Sequence, residues 1–366
     1  MTNRTLFSLL IALLVLGGAA YLLNQKPAAR VEVDGITAGD AVFSDLDVNN
    51  VNAIELASIS TTITLARAES GWVVSSLYEY PAEFPPIANF LRNLNDLEVD
   101  QVLREGEATL AEVGLDPQAM APDRLAVRLR YATAKPEVAF TLGAQKRAGD
   151  AAGMGMGMPR GRFMQVDGGP VIAVEEGFFD LGQRSENWIN QELPRLNPAE
   201  VSGVEVEQAE GGFAIARAES GSGFVLRDAT ESEEVDEAAA NRLFGAMQWA
   251  RFETVIDPAM TDEDAGLDSA TRVTFRTTND VVYAMEISAK EEVGGRAVRL
   301  VAEDASADGL HVATVEEINA TYGAWRFKLS SSTANQLMPA RDSVVTIKEP
   351  VEEAGESESD SEASAP

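Results

Sequence analysis

Few residues in this chain have the type and setting to do chemistry. His311 is the single histidine among 366 residues. A Ser-His-Asp site needs an imidazole base, so His311 is its sole candidate. It stands beside Val312 at the head of an apparent strand, Val312 to Val315, where a structural or surface role is the stronger reading. Histidine-based zinc sites fail on count. Cysteine is absent, which removes thiol catalysis and thiolate metal sites. In an exported protein it also leaves stability to packing, without disulfides. Asp262, Glu263 and Asp264 suggest calcium, but the EF-hand pattern lacks its third ligand, its glycine and its terminal glutamate. Paired carboxylates could hydrolyse glycosides. With 59 acidic residues, however, pairs arise by chance and no spacing singles one out. Met154, Met156 and Met158 alternate with glycines. They read as a thioether site for copper(I), as an adaptable apolar contact or, the favoured reading, as a mobile hairpin tip. The glycines of that stretch lie too far from any following helix to cradle phosphate. No catalytic, cofactor-binding or metal-ligating residue is therefore assigned.

The elements that would position such residues are written twice. Ala66-Arg67-Ala68-Glu69-Ser70-Gly71 recurs as Ala216-Arg217-Ala218-Glu219-Ser220-Gly221, 150 residues later (216 − 66). Val51 to Leu56 matches Val201 to Val206 at the same offset. Both alternate apolar and polar residues, the period of a strand with one wet face. Ile63 and Leu65, matched by Phe213 and Ile215, form a second strand that enters the hexamer. Glu-Ser-Gly is turn chemistry. Beyond it Trp72-Val73-Val74 matches Phe224-Val225-Leu226 at 152 (224 − 72), so the second hairpin is two residues longer. The new offset persists. Asn89 and Leu91 map to Asn241 and Leu243 within helices marked by Ile87, Leu91, Leu94 and Leu97 and by Ala239, Leu243 and Met247. Pro85 and Pro86 suit a first helical turn. Thr109 to Asp116 maps to Thr261 to Asp268. In each, threonine followed by an acid three residues later predicts a capped turn, and Gly-Leu a left-handed stop.

Four or more antiparallel strands follow in each copy. In the first they are Leu125 to Leu129, Val138 to Leu142, and Phe163 to Val166 turning across Asp167-Gly168-Gly169-Pro170 into Val171 to Val174. In the second they are Val273 and Phe275, Tyr283 to Ile287, Ala297 to Val301 and Val312 to Val315. The expected fold is α+β: two tandem pseudo-symmetric repeats of antiparallel sheet, each with one packed helix. The divisions are an anchor over 1–26, a linker over 27–50, repeats over 51–198 and 199–340, and an acidic disordered tail over 341–366.

Leu6 to Leu23 is an uncharged apolar run long enough to span a bilayer. Arg4 before it favours a cytoplasmic N-terminus with the bulk translocated. A cleaved signal peptide is the rival, with Gly17 to Ala20 as the cut region, but the apolar run continues past it. From Glu349 to Pro366 there is neither lysine nor arginine, a composition that cannot offset its ordering entropy. The formal net charge of −30 makes nucleic acid a poor partner and leaves Leu6 to Leu23 as the membrane contact.

These features in this order resemble the DUF4340 family, a domain of unknown function in bacterial envelope proteins. The residues that carry the resemblance are Ile54, Glu55, Leu56, Gly71, Trp72, Pro85, Leu91, Leu94, Gly114, Leu115 and Asp116, over about residues 45 to 335. Such proteins are often encoded beside ABC-type transport components, including ones similar to gliding-motility auxiliary proteins. The resemblance implies a non-catalytic periplasmic accessory of an ABC-type transport complex, held in the inner membrane by a single span, and supplies no catalytic residues. Phe224 in place of Trp72 and Ala239 in place of Ile87 depart from the pattern. A carboxylate-dependent envelope hydrolase with its site between the lobes, and a purely structural spacer, are the alternatives.

Overall fold

The computed structural model describes residues 35–347 apart from 107, 148–158, 180, 209–210, 220–221 and 292–294. The anchor segment Leu6 to Leu23, the methionines 154, 156 and 158, and the acidic stretch from Glu349 lie outside the described residues. Among the described residues no helix is long and apolar enough to cross a membrane.

Among the described residues, two large antiparallel sheets and four α-helices make an α+β chain that divides after Ile189 into two compact units. In the first unit β1 (Val51–Ala57), β2 (Thr62–Ala68), β3 (Gly71–Val74) and β4 (Tyr80–Pro81) precede α1 (Phe84–Asn95) and β5 (Val99–Val102). Then come β6 (Leu125–Tyr131), β7 (Val138–Arg147), β8 (Pro159–Val166) and β9 (Val171–Val174). Their order across the sheet is β4-β3-β2-β1-β6-β7-β8-β9-β5.

The second unit has β10 (Val201–Glu207), β11 (Phe213–Arg217), β12 (Phe224–Leu226), β13 (Glu233–Val235), α2 (Glu237–Phe244) and β14 (Thr254–Val255). After these run β15 (Thr271–Thr277), β16 (Val281–Ile287), β17 (Gly295–Asp304), α3 (Val312–Ile318), β18 (Phe327–Ser330), α4 (Ser331–Leu337) and β19 (Val345–Ile347). Its sheet runs β12-β11-β10-β15-β16-β17-β18-β14. With β4 set aside, the two orders correspond strand for strand.

The registers correspond as well. Ile54 opposes Leu65 and Leu56 opposes Ile63, while Val204 opposes Ile215 and Val206 opposes Phe213. Each first strand carries a register shift at the same place, Val51/Ala53 and Val201/Gly203. Across the hexamer turn Leu65 pairs with Val74 and Ile215 with Leu226, which puts the two extra residues in the second hairpin. The arginine of the hexamer explains part of its recurrence. Arg67 donates to the carbonyl of Asn49 at 3.3 Å, and Arg217 to those of Val201 and Pro198 at 2.9 and 2.6 Å. Each ties its hairpin to the turn that launches the first strand. Glu55 bridges Arg130 at 3.1 Å on one wet face, and Glu205 bridges Arg276 at 3.6 Å on the other. Exposed pairs of this kind are worth at most about 1 kcal/mol.

In α1, Ile87, Phe90, Leu91 and Leu94 are buried, one face of a 3.6-residue period. Pro85 and Pro86 fall in the first turn, whose N–H groups have no intrahelical acceptor. The helix stops at Asn95, so Leu97 is buried beyond its end rather than within it. Asp236 caps α2 by accepting from the Ala239 N–H at 2.8 Å.

The Thr-to-Asp motif forms one capped turn in each unit. Thr109 Oγ1 accepts from the Glu112 N–H at 3.2 Å, and Thr261 Oγ1 from that of Asp264 at 3.1 Å. Gly114 and Gly266 stop the turns at φ 69° and 68°, and the next N–H closes on Leu110 or Asp262 at 2.7 Å in both.

Among the described residues the second unit carries three helices, α2, α3 and α4, where one packed helix per repeat is expected, and three further expectations change. Val312 to Val315 is helical, being part of α3, and the strand beside β17 is β18. Phe327 and Leu329 are fully buried there, whereas Val312 is exposed. Valines three apart before Glu316 and Glu317 suit a helix rim better than a strand. Second, residues 341–347 are ordered. Val344 and Val345 are buried, β19 pairs with β13, and Arg341 meets Glu233 at 2.9 Å. Third, residues 190–198 hydrogen-bond into the second unit, Leu193 to Ala250 and Leu196 to Met247. In the linker, Gly39 and Val42 likewise donate to Val99 and Leu97 beside β5.

Candidate functional site

Each unit carries a groove at the same place in its topology, between the helix that follows the first hairpins and the segment after the strand next to the sheet edge. In the first unit that segment is 175–188, after β9. Its first residues, 175–179, hold two adjacent phenylalanines facing opposite ways. Phe178 adopts φ 48°, a left-handed conformation costly for a side chain with a Cβ. It is buried, edge-on to Phe90 of α1 with ring centroids 6.0 Å apart. Its N–H donates to Glu176 Oε1 at 2.8 Å, and Glu176 Oε2 accepts from Asn93 Nδ2 of α1 at 3.2 Å. Phe179 points outward and is 57% exposed. Its ring lies against Gly177, where a Cβ would stand 2.1 Å from a ring carbon. Trp188 closes the floor, fully buried, with its indole N–H on the Gly182 carbonyl at 3.1 Å.

The resulting cavity is about 480 Å³, lined by Pro86, Phe90, Phe178, Phe179 and Trp188 with Asn89 and Asn93 on the helix side. That volume lies in the range of small-ligand sites. Asn93 and Glu176 also line a second cavity of about 590 Å³, whose other walls include Asp96, Glu98, Asp100 and Glu175. Among the described residues, no lysine or arginine lines either cavity.

In the second unit the corresponding groove lies between α2 and α4. It measures about 630 Å³ and is lined by Asn241, Arg242, Gly245, Ser332, Asn335 and Gln336, among others. Asn241, the counterpart of Asn89 in sequence, thus lines the counterpart groove. The aromatic wall is replaced by amides and hydroxyls, because α4 takes the course that the Phe178-Phe179 turn takes in the first unit.

The residues weighed for chemistry stand elsewhere. His311 sits at the head of α3, its backbone N–H on Asp304 Oδ2 at 2.9 Å. Asp262 bridges Arg326 at 2.8 Å and Arg299 at 3.2 Å. Asp264 accepts from Thr261 Oγ1 at 2.7 Å. Three acids have shifted pKa values, all downward. The Thr109 backbone bond lowers Glu112, with its hydroxyl adding to the effect. Hydrogen bonds from Ser306 lower Asp304. The Thr230 backbone bond, followed by the Arg341 bond, brings Glu233 to about 2. Hydrogen bonds that favour the carboxylate form have this sign. All three therefore act as ionised turn and strand fasteners. Arg162 is buried with its Nε on the Gly143 carbonyl at 2.8 Å, and burial lowers its pKa.

The aromatic groove was not singled out from sequence. Its only local signal is Gly177-Phe178-Phe179, two large apolar residues in succession after β9. Asn89 and Asn241 stood out only as markers of the repeat.

No curated protein and no solved structure matches the chain. The profile of the Domain of unknown function (DUF4340) matches residues 72–270, a narrower span than 45 to 335 and one that leaves out Ile54 to Gly71. It holds α1, α2, both Gly-Leu-Asp turns and the whole aromatic groove. With more than half of its 366 residues matched, this chain belongs to the DUF4340 family.

Proposed function

We propose that this chain is a non-catalytic binding protein of the bacterial envelope. It consists of two pseudo-symmetric copies of one α+β module, held at the inner membrane by Leu6 to Leu23 with its bulk in the periplasm. It acts as an accessory of an ABC-type transport complex, through a protein partner. The observation that carries the binding role is the pair of grooves at one topological position, one aromatic and one polar. Duplication followed by divergence of a recognition site gives such a pair. The matching registers and the hexamer repeat support the copied module, and the family's frequent genetic neighbours suggest the transporter. The acids with shifted pKa values are held ionised in turns and strand ties, which fits scaffolding better than acid catalysis. Crosslinking in intact membranes followed by purification of the tagged full chain tests the proposal. A transporter permease or its periplasmic companion is expected to co-purify. Recovery of the chain alone, or from the soluble fraction, overturns the assignment.

A further inference from the structure

We propose that the aromatic groove of the first unit and the acidic cavity joined to it form one binding site for an extended cationic peptide with an apolar anchor side chain. This rests on the reading of the protein as a binder and adds the site and the class of ligand. The argument begins with Phe179. A solvent-facing aromatic is ordinary on a protein surface, but this one is held in place without being buried. Its ring is seated on Gly177, where any Cβ would collide with it. The preceding residue is locked by the Phe90 edge contact and by the Glu176 hydrogen bond. A fixed ring loses little freedom on binding, so contact with it adds to affinity. Beside it, Pro86 and Phe90 complete an apolar cavity of about 480 Å³, enough for one large side chain and adjoining backbone.

Charge selects the ligand. Glu176 and Asn93, hydrogen-bonded to each other, line both cavities, so the apolar groove adjoins the one walled by Asp96, Glu98, Asp100 and Glu175. Lys146 pairs with Asp100, and Lys146, Arg147 and Arg160 line a neighbouring cavity together with Asp100 and Glu175, so the cationic selection falls to Asp96 and Glu98, which are exposed and make no ion pair among the described residues. An acidic peptide would be repelled at this end, and a neutral sugar could donate its hydroxyls to the carboxylates but would leave their charge unmatched. A peptide with phenylalanine or leucine in the aromatic cavity and lysine or arginine next to it complements both. Asn93, whose Nδ2 donates to Glu176 Oε2 at 3.2 Å, stands at the junction, and Asn89 lines the aromatic cavity. The polar groove of the second unit has no such aromatic wall and is not expected to bind this ligand.

The test uses the full chain in detergent and a fluorescently labelled peptide alternating lysine with phenylalanine and leucine. Controls are the same peptide with glutamate for lysine and a neutral β-linked oligosaccharide. Saturable binding of the lysine peptide is expected, weakening as salt rises from low to high concentration. Phe179→Ser should weaken it about tenfold, given the half-exposed ring it removes. Asp96→Asn with Glu98→Gln should weaken it several-fold at low salt and hardly at high salt. All three side chains are exposed, so thermal melting should be unchanged, and an unchanged melt assigns any loss to the site. Equal binding of the glutamate peptide, preference for the oligosaccharide, or an unaltered Kd in Phe179→Ser overturns the inference. If the Phe179→Ser chain loses the peptide but still co-purifies with the transport complex, this site fails as the partner's dock while the accessory role stands. If wild type binds the peptide and no transport component is recovered, the accessory role fails alone.

Discussion

Gly266 provides a stringent test of the capped turns. It has φ +68°, and a Cβ built there lies 2.5 Å from Ser288 Oγ, with Lys290 Cβ next at 3.3 Å. Ser288 is buried, and its hydroxyl bonds the Lys290 carbonyl at 3.0 Å and accepts the Lys290 N–H at 3.1 Å. Gly266→Ala therefore meets two costs. The left-handed conformation costs about 1–2 kcal/mol for alanine. The hydroxyl must also turn away, losing two bonds worth about 1–2 kcal/mol together. The single substitution should cost about 2–4 kcal/mol. In a Ser288→Ala background the obstruction is gone, and the same change should cost only about 1–2 kcal/mol, a coupling of about 1–2 kcal/mol. Gly114 is the control. The atom facing its Cβ is the backbone nitrogen of Ala144 at 2.7 Å, so no side-chain deletion relieves Gly114→Ala. Urea unfolding together with hydrogen exchange in peptides covering 261–290 measures the cycle, and the same measurements over 109–144 measure the control. An equal cost of Gly266→Ala in the two backgrounds, or one below about 0.5 kcal/mol in wild type, refutes the reasoning.

Other outcomes follow from the same geometry. Removing the caps by Thr109→Ala or Thr261→Ala should cost about 1 kcal/mol each, read as small shifts in urea midpoint without change of slope. The carboxyl of Glu233 is depressed to about 2, first by the Thr230 backbone bond and then by Arg341. Its contribution is therefore complete above the ordinary carboxylate range and is lost as pH falls through about 2. The protection of β13 and β19 relative to their intrinsic exchange rates should fall between pH 4 and 2 in wild type and be lower already at neutral pH in Glu233→Gln; identical pH profiles of protection would count against the tie. Leu94 is fully buried on α1, so Leu94→Ala should cost about 2–5 kcal/mol, with loss of exchange protection in the first unit.

The longer alternating strands, α1, α2 and the doubled hairpin were legible because each rests on a local period or on a turn that glycine and threonine specify, whereas β5, β13, β14, β18, β19 and α4 were not foreseen. Alternation at Ile54-Glu55-Leu56 sets which side chains face the core whatever the partner strand turns out to be. The two-residue slip after the hexamer located an insertion that the pairing of Ile215 with Leu226 then bears out. Val312 to Val315 shows where local reading ends. Four residues with two valines fit either period, and the choice fell to competition for the edge of β17, which Phe327 and Leu329 win by burying completely. The same holds for residues 341–347, where acids nearby masked two valines that find a buried place only once β13 exists.

Sequence by itself determined the α+β class and the hairpins that recur in it, since these depend on contacts between near neighbours. Tertiary structure alone decided where a groove opens. Phe178 and Phe179 are identical in type and adjacent, and nothing local says which is inside. Burial of one against Phe90, with its N–H caught by Glu176, leaves the other facing solvent. The side chains that meet there, Asn93 and Glu176, are 83 residues apart, and only folding brings such distant groups within bonding range.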